Sequence, residues 1–526
     1  MLSRYIPNAF NLAVVIFVAL GSTACSYGLA VIGSTAGQPS FYKSMGLAAF
    51  GEDGYSGTAQ WLGAFNGYSG LNSAGAALGA IHNAWSADRF SRKHTMQIGA
   101  IILIIGAALC AGSVGKTMFL IARFVSGWGI GILISVIPMY QSEVSTPETR
   151  GFMVSMHGIM FAVGYALSAW VGFGVWFISA SGSTSTFPWR FPLALQILPA
   201  LILLIGSPWL PYSPRWLMQQ DRIEEAKAVL LKLHTRSGQE SEDHTMQANI
   251  EFEQLRAQTA LDQEMANRRS RWELIKTPGN RKRVMIATIL MWGDMFMGPI
   301  FVANYGVILF TQLGLKGYVP LMCLSFLVTA TFPGNVITAL YVDRFGRRIF
   351  LLIGCVGITM CLMFETLLQA LYLQGDNIAG QRAAVFFIFL YAIFWSTFMD
   401  ATQYLYLSEI FPTHIRGQGV AVGMFHYFVA TVIILVVGPI ALDKIGWKFL
   451  FVFLIPTACY TVAVYFLFPE TCQRSLEDIN AQFGEVVALP YYHDENADGD
   501  NEGKKPQTTE IEMIGRKGEE AVKSVP

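Results

Sequence analysis

The sequence predicts an all-α membrane protein with twelve transmembrane helices. Hydrophobic residues make up 53% of its 526 residues, and the mean hydropathy is +0.43. Charged residues make up only 14%, against about 25% in an ordinary soluble domain. The apolar residues fall into twelve long runs, each near the roughly 20 residues that a helix needs to cross a bilayer. Because the runs are long and show no short alternating pattern, they indicate helices and not a β-barrel.

The predicted spans follow one another closely, except between the sixth and the seventh. They lie near residues 10–33, 61–84, 96–113, 117–140, 152–178, 191–211, 285–312, 319–341, 349–373, 383–406, 419–441 and 447–468. Basic segments follow the second and the eighth spans. In the loops 34–60 and 374–382, by contrast, the only Lys or Arg residues are Lys43 and Arg382. Basic loops stay in the cytoplasm, so an even number of spans predicts that both termini are cytoplasmic.

Four regions are predicted along the chain. Residues 1–212 form an N-terminal six-helix half, and residues 284–483 form a C-terminal six-helix half. Between them, residues 213–283 are rich in charge. In this segment apolar residues recur at helical spacing, from Ile223 to Leu233, which predicts a cytoplasmic linker with short amphipathic helices. Residues 484–526 are poor in apolar residues and are expected to be a disordered cytoplasmic tail.

An internal repeat supports the two halves. DRFSRK at 88–93 corresponds to DRFGRR at 343–348, and EVSTPETRG at 143–151 corresponds to EIFPTHIRG at 409–417. A looser pair is PYSPRW at 211 and PETCQRS at 469. Motifs repeated at such a distance indicate two copies of one structural unit.

The charges of these motifs predict a conformational switch. Charges at the cytoplasmic helix ends can join the halves when that side is closed and separate when it opens. The alternative is that they only anchor the helices, which requires Lys and Arg but neither Asp nor Glu. The candidate switch residues are Asp88, Arg89, Arg92, Glu143, Arg150, Asp343, Arg344, Arg347, Glu409 and Arg416.

Over residues 10–483 the chain resembles the sugar porter branch of the major facilitator superfamily. The resemblance is carried by DRFSRK, the run from Arg123 to Gly131, PETRG, SPRWL, DRFGRR, SEIFPTHIRG and PETCQRSLEDI. Stretches such as STAGQPSFY are similar to fungal members of that branch. The resemblance implies secondary transport by alternating access around a site between the halves at the membrane midplane.

The residues that would bind a sugar depart from the family pattern. The resemblance places its fifth-helix Gln at Gly158, its Gln pair at Asp294 and Met295, and its next Asn at Ile300. The family's Trp and last Asn fall at Tyr404 and Tyr427. Each missing partner for a buried hydroxyl costs about 1–3 kcal/mol, so hexose binding in the usual pose is not expected.

The proton-coupling position is also changed. The resemblance implies that proton-coupled members carry a GYD motif in the first helix. Here Gly28 takes the place of the Asp of that motif, whereas the Arg of the fourth helix is retained as Arg123. The neighbouring Ser22, Ser26 and Tyr27 offer only neutral oxygens. Facilitated diffusion is therefore predicted, or else proton coupling by a non-standard route.

New ionisable residues occur in predicted spans, where they are functional candidates by default. They are Asp294, Asp400, His157, His426 and Glu365, and Glu365 is expected to be structural because its helix is peripheral in this family. The predicted substrate-binding set is His157, Asp294, Asn304, Asp400, Gln403, Tyr404 and Tyr427, and the predicted coupling set is Arg123, Asp294 and Asp400. The alternative for each acid is a structural pair, and for Tyr305 and Tyr406 it is plain packing.

The leading hypothesis is therefore a plasma-membrane transporter of the sugar porter type for a sugar, polyol or related small polar solute. The alternatives are a same-fold transporter of an organic acid or secondary metabolite, and a nutrient sensor. No nucleotide-binding loop, nucleophile elbow or metal-ligand cluster is visible, so an enzyme is not expected. The expected partners are the solute, the lipid bilayer and protons, without cofactor, metal or nucleic acid, and the functional unit is expected to be a monomer.

Overall fold

All secondary structure in the part of the chain that the structure describes is helical. This computed structural model describes residues 8–36, 38–47, 68–146, 149–180, 185–234, 242–266, 273–315, 317–372, 377–412, 415–472, 474 and 476–484. We use the predicted division for names, so that the N-terminal half is residues 8–212 and the C-terminal half is residues 284–484. The division itself, and the tail after residue 484, stay predictions.

Twenty-two α-helices occur in these residues, numbered here in chain order. In the N-terminal half they are α1 (Ala9–Ala36), α2 (Pro39–Met45), α3 (Tyr68–Phe90), α4 (Arg92–Ala111), α5 (Lys116–Val144), α6 (Arg150–Ala180), α7 (Phe187–Leu195) and α8 (Ile197–Gly206). The segment between the halves contains α9 (Pro214–Gln219), α10 (Ile223–His234), α11 (Glu242–Ala266) and α12 (Glu273–Lys276). The C-terminal half contains α13 (Pro278–Phe296), α14 (Pro299–Gln312), α15 (Val319–Thr329), α16 (Thr331–Phe345), α17 (Arg347–Tyr372), α18 (Ile378–Trp395), α19 (Ala401–Glu409), α20 (Arg416–Ile445), α21 (Phe451–Leu467) and α22 (Leu476–Gln482).

Eleven segments of the described chain are long and apolar enough to cross a membrane. They correspond to all the predicted spans except the second. Helix α3 occupies that place but is not among the eleven, and residues 61–67 of the predicted span lie outside the described residues. The helix is less apolar because it packs against α5 on one side and α20 on the other, so that much of its surface faces protein and not lipid. The count of twelve spans stays a prediction.

Glycines allow α3, α4 and α5 to pack closely. A Cβ atom on Gly127 would lie 1.9 Å from the carbonyl oxygen of Asn72, and one on Gly131 would lie 2.0 Å from that of Ala76. Such contacts are shorter than any real Cβ approach, so that only glycine fits at these two positions. Small residues at helix interfaces have this role in membrane proteins.

Several spans are divided where the sequence predicts one continuous helix. Helix α13 ends at Phe296 and α14 begins at Pro299, with Gly298 between them at φ +97°. Gly298 adopts this left-handed conformation without steric cost, and Pro299 suits the first turn of the new helix. Between α18 and α19 the five residues Ser396–Asp400 are π-helical. Both interruptions lie beside the central cavity described below.

The segment between the halves contains the amphipathic helix that the sequence predicts. In α10 the side chains of Ala226, Leu230 and Leu233 are buried. Ala226 and Leu230 belong to a small apolar cluster with Trp216 of α9 and Phe252 of α11. The buried side chains of α10 thus lie on one face of the helix.

Candidate functional site

A cavity of about 620 Å³, a volume that includes space open to the outside, lies between the two halves. Phe161 and Tyr165 of α6 line it from the N-terminal half. The C-terminal half contributes Trp395, Tyr404 and Tyr427, together with apolar residues of α14 and α15. The lining is therefore mostly aromatic and apolar, and Asp400 is the carboxylate among the residues that form it.

Asp400 is held at the cavity by the π-helical segment. An extra residue in a helical turn re-aims the side chains that follow, which is why π-segments are common at functional sites. The Asp400 Oδ2 atom accepts a hydrogen bond of 2.9 Å from the Asn335 amide of α16. The other oxygen, Oδ1, accepts none from the described residues. One half of this buried carboxylate is thus unsatisfied.

Asp294 is a second buried carboxylate, in the last turn of α13 just before the helix break. Its Oδ1 atom accepts a 2.9 Å hydrogen bond from the indole of Trp395, which itself lines the cavity. The Gln403 amide also approaches this carboxylate. Asp294 and Asp400 lie close enough for their charges to interact. Asp294 therefore lies one layer behind the cavity wall, connected to it through Trp395.

His157 lies next to the cavity and is buried. Its Nδ1 atom is 2.7 Å from the Ser22 hydroxyl of α1. The ring packs edge-on against Tyr404 with a centroid distance of 4.7 Å, and Tyr404 lies 6.3 Å from the ring of Tyr427. The structure therefore brings together His157, Asp400, Tyr404 and Tyr427, with Asp294 and Gln403 directly behind them.

Gly158 shows why the family's glutamine has no place here. A Cβ atom on Gly158 would lie 2.4 Å from Asn335 Oδ1 and 2.7 Å from the Ala401 Cβ atom. The room that a side chain would need is taken by α19 and by the amide that holds Asp400. In this arrangement a side chain at residue 158, where the resemblance places a glutamine, has no room beside the Asn335–Asp400 pair.

The coupling position in the first helix is filled by a neutral amide. A Cβ atom on Gly28 would lie 2.1 Å from the Gln196 Nε2 atom. That same amide donates a 3.3 Å hydrogen bond to the Ser126 hydroxyl. Arg123 is buried and donates a 3.2 Å hydrogen bond to the Gly28 carbonyl oxygen. Arg123 thus contacts a backbone carbonyl oxygen of the first helix, at the position where the resemblance predicts a carboxylate.

Other predicted residues lie away from the cavity lining. The Asn304 amide donates to the Ile300 carbonyl one turn earlier in α14, at 2.9 Å, and the His426 Nδ1 atom lies 2.8 Å from the Val422 carbonyl of its own helix. The hydroxyls of Tyr305 and Tyr406 donate to the carbonyls of Leu435 and Pro469, each at 2.9 Å. These two tyrosines thus connect helices, as the packing alternative predicts.

The N-terminal repeat motifs meet in a buried cluster around Glu143. Arg92 Nε lies 3.0 Å from Glu143 Oε2, and the Ser213 hydroxyl donates to the same oxygen at 2.6 Å. Arg416, which belongs to the C-terminal half, lies 3.5 Å from Glu143 Oε1. This carboxylate therefore joins the two halves.

The C-terminal motifs form the corresponding cluster around Glu409. Arg347 Nη2 lies 3.0 Å from Glu409 Oε1, and the Thr471 hydroxyl donates to Glu409 Oε2 at 2.7 Å. Arg347 also pairs with Asp343 of α16 at 2.9 Å. Asp343 in turn accepts a 2.8 Å hydrogen bond from the Phe152 backbone N–H of the N-terminal half.

The remaining switch candidates differ in their surroundings. Arg150 is buried near Arg416. Arg89 and Arg344 are exposed, and their guanidinium groups stack near the rings of Trp85 and Tyr341. The side chain of Asp88 lies outside the described residues.

Sequence reasoning missed four polar partners. Ser213 and Thr471 occur in the loosely repeated segments PYSPRW and PETCQRS, so the repeat was an available signal for them. Trp395 and Asn335 had no such signal, because they meet the carboxylates only through the packing of helices distant along the chain.

A cavity between two groups of membrane helices, with the Arg416–Glu143 ion pair joining the groups, is the arrangement of a multi-pass membrane transporter. Comparisons with known proteins agree. Residues 14–483 match the family described as sugar (and other) transporter. The chain therefore belongs to the sugar transporter family of the major facilitator superfamily, and its function is secondary transport and not enzymatic catalysis. The predicted resemblance to the sugar porter branch is confirmed.

Individual relatives and structures support this assignment. MFS-type transporter criB of Aspergillus cristatus is 30% identical over 411 residues, which cover 78% of this chain and 82% of criB. Sugar transporter STL1 of Saccharomyces cerevisiae is 28% identical over 421 residues, covering 78% of this chain and 71% of that protein. The proton:xylose symporter XylE of E. coli, bound to 6-bromo-6-deoxy-D-glucose, shares the fold with a TM-score of 0.77 at 21% identity, covering 90% of this chain and 100% of that one.

Proposed function

We propose that this transporter moves a sugar, polyol or related small hydroxylated solute through the central cavity by alternating access. The observation that carries the proposal is Asp400, a half-satisfied carboxylate at the wall of an aromatic cavity in a sugar transporter. In this proposal Asp400 accepts a hydrogen bond from a solute hydroxyl, while Tyr404 and His157 orient the solute. Asp294 supports the site through Trp395.

The lining favours a solute that carries a ring. Aromatic faces such as those of Phe161, Tyr404 and Tyr427 pack on apolar faces of rings, and few neutral amides are present to satisfy the many hydroxyls of a hexose. A ring compound with fewer hydroxyls and a larger apolar face than a hexose matches this lining better. An organic acid fits less well, since its negative charge would meet Asp294 and Asp400.

For energy coupling, facilitated diffusion is the mode that the first helix supports. Gly28 cannot carry a proton, and the neutral Gln196 amide occupies the neighbouring space. The runner-up is coupling through Asp294 and Asp400, because two interacting carboxylates titrate as a pair. Initial uptake measured with the pH gradient and membrane potential collapsed separates the two. An unchanged uptake rate supports facilitated diffusion. A lower uptake rate supports coupling through the pair if the Asp294→Asn variant no longer shows this dependence on the gradients.

The remaining features of the proposal follow from the sequence and from this family. We propose twelve spans with both termini in the cytoplasm, a location in the plasma membrane and a monomeric functional unit. The buried clusters at Glu143 and Glu409 act as the conformational switch on the cytoplasmic side. Residues 213–283 form the linker between the halves.

The test of substrate class is an uptake screen in yeast cells that lack their own hexose carriers. Labelled glucose, xylose, glycerol, inositol and cyclic polyols are compared in cells that express the full chain and in cells that carry an empty vector. Saturable uptake of at least one hydroxylated solute is expected. Saturable binding without uptake would instead indicate a sensor, and uptake confined to organic acids would overturn the proposed class.

The role of Asp400 is tested with the solute that the screen identifies. Losing a hydrogen bond to a charged group costs about 1.5–3 kcal/mol, so Asp400→Asn is expected to raise KM about tenfold or more. The matched control is Glu224→Gln, which makes the same acid-to-amide change at an exposed position of α10. An unchanged KM in correctly inserted Asp400→Asn protein would assign Asp400 to structure alone.

A further inference from the structure

A second cavity lies inside the C-terminal half, separate from the central one. It is a partly open space of about 420 Å³, a volume that includes space open to the outside, between α14, α17, α18 and α21. Val302 and Tyr391 line both cavities, so these two side chains form part of the wall between them. Met297 and Gly298, at the break between α13 and α14, also line the second cavity.

One end of this cavity contains a polar group whose hydrogen-bonding capacity is only partly used. Glu365 of α17 lines it and is only 5% exposed. Its Oε1 atom accepts a 2.7 Å hydrogen bond from the Gln369 amide one turn later in the same helix. Its Oε2 atom is buried and accepts no hydrogen bond from any described residue. An acid within the bilayer with an unpartnered oxygen is costly unless something pairs with it.

The rest of the lining offers no such partner. Apart from Glu365 and Gln369, the residues around the cavity are apolar or aromatic, and they include no Lys, Arg or His. Phe301, Phe387 and Phe453 supply aromatic faces on three different helices. The cavity therefore combines one acidic group with an apolar body of space, which defines the ligand by its chemistry.

We propose that this cavity binds a small apolar amine, with the amine nitrogen at Glu365 and the apolar part among the phenylalanines. An amine can pair with this acid as an ammonium with a carboxylate, or as a neutral amine with a carboxylic acid. An alcohol can form a hydrogen bond there but no ion pair, and a hydrocarbon can form neither. The expected order of affinity is therefore amine, then alcohol, then hydrocarbon.

The position of the cavity predicts that such a ligand slows transport without competing with the solute. The Tyr391 hydroxyl donates to the Met297 carbonyl at 3.1 Å, next to the helix break. A ligand packed behind Met297 and Gly298 would hold this break in the arrangement seen here. Since the solute cavity lies on the other side of Tyr391 and Val302, the maximal rate is expected to fall while KM stays unchanged.

The test uses three probes of nearly the same shape: phenylbutylamine, phenylbutanol and pentylbenzene. The purified full-length protein in detergent is heated with increasing concentrations of each, and the unfolding temperature is recorded. Phenylbutylamine is expected to raise the unfolding temperature at the lowest concentration and to saturate. Glu365→Gln is expected to weaken phenylbutylamine binding about tenfold, because a hydrogen bond between charged groups is roughly twice as strong as a neutral one, and to weaken phenylbutanol binding less.

A second variant locates the site independently of the acid. Leu362→Phe fills the cavity but keeps Glu365, and it is expected to weaken the binding of all three probes. Asp400→Asn, at the central cavity, is expected to leave the phenylbutylamine response intact. Equal responses to the three probes in both the parent protein and Glu365→Gln would show partitioning into detergent only and would overturn the proposal. So would the absence of any response to phenylbutylamine.

Discussion

The clusters around Glu143 and Glu409 are two versions of one arrangement. In each, an Arg at the start of a helix pairs with a Glu at the end of another, and a hydroxyl donates to the same Glu. The pairs are Arg92 with Glu143 and Arg347 with Glu409, both at 3.0 Å. The repeat detected in the sequence is thus a repeat of buried contacts as well as of residue types.

The clusters differ in how they reach the opposite half. Glu143 is bound by Arg416 across the interface, so that its own carboxylate joins the halves. Glu409 has no such contact among the described ion pairs, and the connection is made instead by Asp343 to the Phe152 backbone. We infer that Glu143 contributes directly to the conformational equilibrium and that Glu409 mainly holds its own half together.

The largest expected effect comes from removing each central acid. Breaking a buried ion pair costs about 3–5 kcal/mol, so Glu143→Gln and Glu409→Gln should lower the unfolding temperature to a similar extent. Only Glu143→Gln should also open the cavity to the cytoplasmic side. Labelling of a cysteine placed at Thr331, which lines the cavity, measures the opening. Equal labelling of the two variants would contradict the difference between the clusters.

A sharper test removes the Arg416–Glu143 contact between the halves, together with the hydrogen bond that Arg416 Nε donates to the Phe411 carbonyl oxygen in its own half. Arg416→Gln leaves the Arg92–Glu143 pair and the Ser213 hydrogen bond in place. It is therefore expected to lower the uptake rate and to increase Thr331→Cys labelling severalfold, with a smaller loss of stability than Glu143→Gln. Its control is Arg344→Gln, at an exposed position of the same repeated motifs. Labelling that stays at the parent level in Arg416→Gln would remove this contact from the switch.

A smaller effect is expected for the two hydroxyls. Ser213→Ala and Thr471→Val each remove one hydrogen bond to a buried carboxylate, at a cost of about 1.5–3 kcal/mol. Ser213→Ala also removes the N-cap hydrogen bond that the Ser213 hydroxyl accepts from the Trp216 N–H, so it should lower the unfolding temperature by the larger amount. Ser213→Thr and Thr471→Ser keep the hydroxyl and serve as controls. A loss at one site only would show that the clusters are not energetically equivalent.

The smallest expected effect concerns the turn before each Arg. Ser91 has φ +84° and ψ 156°, and Gly346 has φ +92° and ψ 156° at the corresponding place. This backbone region suits glycine and strains other residues by about 1–3 kcal/mol. Ser91→Gly gives up the hydrogen bond from His94 N–H to the serine hydroxyl, a loss of only a few tenths of a kcal/mol for glycine at a helix N-cap.

Ser91→Gly should therefore stabilise the protein, by about 1 kcal/mol after both contributions. Differential scanning measurements of the purified protein check this, with Ser91→Ala as the control that loses the hydroxyl and keeps the strain. A decrease in stability for Ser91→Gly would show that the hydrogen bond outweighs the strain.

The sequence predicted the helices better than it predicted the cavity. Long apolar runs give helices regardless of their neighbours, and the repeated motifs identified Glu143 and Glu409 as corresponding residues. The cavity candidates were only partly brought together. Asp400, Tyr404 and Tyr427 line the cavity, whereas Asn304 and His426 bond within their own helices. Spacing in one helix does not reveal which face turns toward a distant one.

The sequence by itself determined that this chain crosses the membrane, that its two parts repeat, and which family it belongs to. These properties depend on composition, on run length and on motifs that are local in the chain. Only the tertiary structure decided that Asn335 holds Asp400 where a Gly158 side chain would be, and that Gln196 fills the space beside Gly28. Such contacts join residues far apart in the sequence, and they exist only once the helices have packed.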